Sequence, residues 1–247
     1  MAEKKISDLF HIRTRFLRSV HLERDFQDPS ALSNYIVTDF ARSCIERMAH
    51  SLKPQSGQRA WRLTGDYGSG KSSFALLLAH WFAGQESKLP PQIRSVVNSQ
   101  QLGVARPHCL PVLVTCSRQA LSASILKSLH WALSQLYGRG TKSKLLLDVQ
   151  RLFDAEPAPT DDQVFQLILK VNTYLIAESK SSGLLLILDE LGKFLEFAAL
   201  YPQQHDVFLL QQLAEAAARS GDERLFVVGL LHQGFREKVI ESRNREM

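Results

Sequence analysis

Gly65-Asp66-Tyr67-Gly68-Ser69-Gly70-Lys71-Ser72 spells a complete G-x-x-x-x-G-K-[ST] pattern, and the residues on either side decide what it means. Arg59-Ala60-Trp61-Arg62-Leu63-Thr64 leads in with the character of a strand, and Phe74 to Ala83 leads out as an apolar helical stretch. A strand that hands the chain to a tight glycine turn, with a helix starting directly after it, aims backbone N–H groups and the helix N-terminus at one point. Several phosphate charges can sit there. On this reading Gly65, Asp66, Tyr67, Gly68, Ser69, Gly70, Lys71, Ser72 and Ser73 cradle the phosphates of a nucleoside triphosphate. Lys71 would reach the β- and γ-phosphates, and the Ser72 hydroxyl would complete a Mg²⁺ shell. The alternative is a glycine-rich turn that matches by chance, and the flanking strand and helix argue against it.

A second stretch strengthens the first. Gly183-Leu184-Leu185-Leu186-Ile187-Leu188-Asp189-Glu190 carries an unbroken apolar run into two acids. A run this short and apolar, opened by glycine, suits a central parallel strand buried on both faces. The ends of such strands are where ligands lie in open α/β sheets. Asp189 would then hold Mg²⁺ through water, and Glu190 would orient or deprotonate the attacking water. The competing reading is an acidic cap for a helix over Leu191–Ala199. With the phosphate loop present, the catalytic reading is preferred.

At 247 residues, with 45% hydrophobic and 22% charged residues, the chain has the composition of a soluble globular protein able to bury a sizeable core. Its formal charge of +5 is mildly basic, and no dense Lys/Arg run marks a polyanion site. DNA is therefore compatible as a partner without being indicated. Basic residues gather at the start (Lys4, Lys5, Arg13, Arg15, Arg18) and the end (Arg236, Lys238, Arg243, Arg245), as solvated faces also do. Cys44, Cys109 and Cys116 are odd in number and lack C-x-x-C spacing, so neither a disulfide framework nor a zinc site is expected. The polar start has no signal-peptide core, and Phe74 to Ala83, the longest apolar stretch, is too short to span a bilayer and contains His80. The expectation is a cytoplasmic protein with no membrane partner.

The rest of the chain alternates. Residues 1–58 read as a helical lead-in packing on the core, with one amphipathic helix from Ser30 to Ala49 through Leu32, Tyr35, Ile36, Phe40, Ile45 and Met48. Residues 59–247 read as the core, with strands at 59–64, 110–116, 184–188 and 225–231. Residues 85–109 are an irregular or short-helical insertion. Helices are expected over 120–137 and 142–153, from a capping box at Thr160–Gln163 to about Glu178, and over 206–219. Strands alternating with helices predict an α/β fold with crossover units and a mainly parallel sheet.

This order of parts resembles the additional-strand class of P-loop ATPases, and within it the AAA-like branch. That resemblance covers residues 59–235 and implies a three-layer P-loop sandwich that binds and hydrolyses ATP with Mg²⁺. Val112-Leu113-Val114-Thr115-Cys116-Ser117 is similar to a strand of archaeal initiator and origin-recognition ATPases, and Leu22-Glu23-Arg24-Asp25 to a segment near adenine in that group and in STAND ATPases. Asp189-Glu190-Leu191-Gly192-Lys193-Phe194-Leu195-Glu196 resembles large bacterial ATPases of mobile-element and phage-defence gene sets. In the family a polar residue just past the fourth strand contacts the γ-phosphate or the attacking water; His232 matches that position best and Gln233 next, although Asn, Thr or Ser is usual there. The family also has a fifth strand and a helical lid, which the chain lacks on this reading; a fragment of a longer protein is expected. Arg236, Arg243 and Arg245 fall where relatives carry an arginine finger, though surface solvation explains each of them better. The resemblance implies a homo-oligomer or larger assembly in which hydrolysis drives a conformational or mechanical change. The alternative is a nucleotide-dependent switch with little turnover of its own.

Overall fold

The alternating runs fold as consecutive strand–helix units in the computed structural model, which describes residues 20–28, 30–53, 55–138, 143–201 and 207–232. Two helices, α1 (Leu22–Phe26) and α2 (Asp39–Ser51), precede β1 (Ala60–Gly65). After β1 come α3 (Lys71–Phe82), a 3₁₀ turn at Glu86–Lys88 and the single-turn α4 (Pro91–Arg94). β2 (Leu110–Thr115) is followed by α5 (Leu121–Tyr137), α6 (Lys144–Phe153) and α7 (Asp161–Ala177). β3 (Gly183–Asp189) leads through α8 (Leu191–Leu200) and α9 (Phe208–Arg219) to β4 (Arg224–His232). Each strand agrees with its expected span to within one residue at either end.

The strands form one all-parallel sheet in the order β1-β4-β3-β2. The inner strands are buried along nearly their whole length, because side chains of period two must be apolar on both faces when helices cover both. Leu184, Leu186, Leu188, Leu225 and Val227 face one core with α5 to α9, whereas Leu185, Ile187, Phe226, Val228 and Leu230 face the other with α2 and α3. The architecture is therefore α/β with helices on both faces of a four-stranded parallel sheet. The step from β1 out to β2 carries α3 on one face, and the return through β3 to β4 carries its helices on the opposite face. A single crossover hand requires that exchange when the direction across the sheet reverses. The connections leaving β1 and β3 thus depart to opposite faces, and ligands collect in such sheets at carboxyl ends where that happens.

α3 is apolar all round, with every residue from Phe74 to Phe82 buried. It can be so because the sheet covers one side and the lead-in the other: Leu22, Ile45 and Met48 share its core. The lead-in departs from the expected single helix over 30–49. Asp28 accepts from Ser30 N and Oγ at 2.8 and 2.7 Å, closing a turn, and residues 35–38 run without helical structure. α2 begins only at Asp39, where the Thr38 side chain accepts from Ala41 N at 3.2 Å. A Thr cap after the β-branched Ile36-Val37 pair outcompetes helix propagation from residue 30. As a result Ile36 and Phe40, expected on the buried face, are 80% and 72% exposed. Thr160 and Gln163 do form the expected capping box at the start of α7.

Among the described residues no helix is long and apolar enough to cross a membrane. Cys44, Cys109 and Cys116 are buried and unbridged. Gln233, Arg236, Lys238, Arg243 and Arg245, with the basic residues of the first 18 positions, lie outside the described residues.

Candidate functional site

β1 ends at Gly65, and the chain turns through Asp66–Gly70 into α3. Gly68 and Gly70 take φ of +75° and +82°, a left-handed conformation that costs a Cβ-bearing residue about 1–2 kcal/mol. Gly70 is the N-cap residue of α3, and Ser69 N donates to Asp66 O at 3.3 Å across the turn. The amides that open α3 have no partner from within the helix, which is the property an anion exploits. Lys71 bends back over the turn. Its Nζ donates to Gly65 O at 2.7 Å, Asp66 O at 2.6 Å and Ser69 Oγ at 3.4 Å. Burial lowers the Lys71 pKa, against the opposing pull of Asp189 and Asp66.

At the end of β3, Asp189 is buried and borders the same cleft as Ser72. Its Oδ1 accepts from Glu190 N at 2.8 Å. Burial raises the Asp189 pKa, and the nearby Ser72 hydroxyl and the Glu190 amide oppose the rise. Glu190 follows with φ +54°, an uncommon conformation for a residue with a side chain, and its carboxylate pairs with Lys193 in the first turn of α8. Thr115, the register partner of Asp189, stands beside it at the end of β2. At the end of β4, His232 is the register partner of Gly65, and its ring stacks on Tyr67 with centroids 3.6 Å apart and planes 18° from parallel. Burial, and after it the Lys71 charge, lower the His232 pKa.

These groups border one cleft of about 560 Å³, lined by Tyr67 to Ser73, Thr115, Asp189, Glu190 and His232, with Val20, His21 and Arg24 of the lead-in. The fold thus brings Tyr67–Ser73, Asp189, Glu190 and His232 into one lining, from strands far apart in sequence. Gly65 and Asp66 contribute through the carbonyls that hold Lys71. Thr115, Lys193, Val20 and His21 were not singled out from the sequence. Thr115 had a visible signal, because it ends an apolar strand as Asp189 does, and Lys193 sits three residues after an acid at helical spacing. Val20 and His21 had none beyond preceding Leu22-Glu23-Arg24-Asp25.

The donor set suits a hard cation shared with a phosphate. Among the described residues no group of three or more His, Cys, Asp and Glu side chains could hold a metal by itself. Mg²⁺ asks for less, taking one or two protein oxygens and completing its shell with water and phosphate. The adjacent Ser72 hydroxyl and Asp189 carboxylate fit that requirement. No protein-family model, curated protein or solved structure matches the chain.

Proposed function

We propose that the chain is a Mg²⁺-dependent ATPase of the AAA-like P-loop kind, acting through conformational change in a larger assembly. The observation that carries this reading is the convergence of Lys71, Ser72, Asp189 and Glu190 on one cleft. It brings the hydroxyl that follows the phosphate-loop lysine into one lining with the acid that ends the central strand, the pair the two motifs require to be close. Backbone N–H groups of the loop and the α3 N-terminus receive the phosphates. Lys71 exchanges the carbonyls of Gly65 and Asp66 for β- and γ-phosphate oxygens. Ser72 and, through water, Asp189 would hold a Mg²⁺ that would offset charge on those oxygens. Glu190 takes a proton from water as the water oxygen bonds to the γ-phosphorus, the bond to the ADP oxygen breaks, and phosphate leaves. His232, which lines the same cleft, would hydrogen-bond the γ-phosphate.

One observation favours a second reading, a nucleotide switch with little turnover. The Glu190 carboxylate is engaged by Lys193 and must leave that partner before it can act as a base.

Calorimetric binding and phosphate release with ATP and Mg²⁺, with and without double-stranded DNA, test both. Lys71→Ala should abolish binding. Glu190→Gln should keep binding and reduce turnover by about a hundredfold or more, the usual scale for a lost general base. Tight ATP binding by Lys71→Ala would refute the site. Binding without turnover in wild type would select the switch, and stimulation by DNA would identify the partner.

A further inference from the structure

Tyr67 has an unusual place. It sits in the phosphate loop, is 75% exposed, and lies flat against His232. A large aromatic ring left in water is not held by core packing, so its contact with the imidazole is what orders it. The pairing follows from the sheet register: Gly65 and His232 face each other across β1 and β4, so the loop that leaves one strand lands on the residue that ends the other.

The ring nitrogens of His232 are informative. His232 Nδ1 is closed off from solvent and has no hydrogen-bond partner. A buried N–H without an acceptor is a rarer and costlier arrangement than a buried lone pair without a donor. The ring proton therefore belongs on Nε2. Burial, and after it the Lys71 charge, favour the neutral ring, which has one donor and one acceptor. Nε2, the nitrogen that is not sealed in, is then a donor available to the cleft that His232 lines with Lys71, Ser72 and Glu190.

We propose that Tyr67 is a positioning residue, which by stacking on the face of His232 fixes the ring and holds an Nε2–H donor toward the γ-phosphate end of the cleft. This rests on reading the cleft as a triphosphate site, and it adds a direct link between the phosphate loop and the end of β4. Order in the loop and orientation of His232 become one event. It also accounts for a histidine serving as a hydrogen-bond donor without bringing a charge.

Isotope-labelled histidine in the full chain reads the ring directly, with His232→Asn identifying its signals. Long-range proton–nitrogen correlation spectra should place the proton on Nε2, and the carbon-bound ring protons should be shifted upfield by the Tyr67 ring. Tyr67→Phe should keep both signatures, and Tyr67→Ala should lose the upfield shift. In turnover with ATP and Mg²⁺, Tyr67→Ala should lower kcat about tenfold, the scale of a misaligned group, while KM stays within about twofold. Tyr67→Phe should restore most of that turnover. A proton on Nδ1, or His232 signals unchanged by Tyr67→Ala, overturns the positioning role whether or not ATP binds. So does a Tyr67→Ala defect confined to KM. Failure of ATP to bind wild-type protein that shows both ring signatures would instead overturn the reading of the cleft, and with it the target of the donor.

Discussion

His80 shows what a single buried ring does to stability. It sits in α3 at 4% exposure, stacks on Phe26 with centroids 4.5 Å apart, and meets Gln85 Oε1 through Nδ1 at 3.3 Å. Burial takes its pKa from 6.5 down to about 4, against the opposing effect of the Gln85 hydrogen bond. Above pH 6.5 the ring is neutral folded and unfolded alike, so it adds no pH dependence. Below that the unfolded chain takes up the proton first, and stability falls until the folded ring also titrates near pH 4. Between pH 7 and pH 5 the loss from this group amounts to about 2 kcal/mol. Urea unfolding of wild type and His80→Leu at the two pH values checks it. The stability difference between the two proteins should move by about 2 kcal/mol in favour of the variant as pH falls. A constant difference would mean that the ring is not held neutral.

At the scale of elements, legibility followed burial. β3 and β4 could be read within a residue because strands covered on both faces leave unbroken apolar runs. α7 could be read from its start because a capping box is a local hydrogen-bond exchange between Thr160 and Gln163. The start of α2 could not, since Leu32, Tyr35 and Ile36 match a helical period while Thr38 sets the boundary. Nor could the Tyr67–His232 pair, which depends on strand register and so on the whole sheet. The loop and Asp189–Glu190 were legible as candidates; their convergence in one cleft was a matter of topology. Gly183, which opens β3, carries a prediction of its own. Its φ is +150°, and a Cβ there would meet Arg224 O at 2.1 Å on the neighbouring strand. Backbone cannot give way as a side-chain tip can, so Gly183→Ala should cost about 3 kcal/mol or more. Gly103→Ala is the control, with φ +64° and nothing within 4 Å of the added Cβ, and should cost only about 1 kcal/mol. Equal urea midpoints for the two variants would show that β3 and β4 do not approach as closely as this.

The whole molecule is joined at Arg59. Its side chain is fully buried, a rare state for arginine. Nε donates to Ser51 O at 3.2 Å at the end of α2, and Nη2 to Lys53 O at 3.1 Å. Nη1 donates to Ser220 Oγ at 2.8 Å and to Gly221 O, in the turn between α9 and β4. The guanidinium also lies over the Phe226 ring, 5.6 Å from its centre. One side chain therefore ties the lead-in, β1 and the turn into β4 at the end of the sheet opposite the cleft. The lead-in is also the part that brings His21 and Arg24 to the cleft wall, and Ser128 of α5 donates to Glu23 of α1 at 2.9 Å. Removing the guanidinium leaves a buried acceptor at Ser51 and partly buried ones at Lys53, Ser220 and Gly221 without this donor, so Arg59→Met should destabilise the chain by about 3 kcal/mol. Arg59→Lys should not restore it, because a point charge with one nitrogen cannot reach acceptors spread around a planar fork. Unfolding followed in parallel by tryptophan fluorescence and circular dichroism distinguishes the consequences. Wild type should unfold in a single transition, and both variants at a lower urea midpoint. An unchanged midpoint in Arg59→Met would show that the lead-in is held by the Leu22, Ile45 and Met48 contacts with α3 alone. A transition that splits in two in the variant would identify Arg59 as the coupling between lead-in and core, through which strain at the far end of the sheet could reach the cleft.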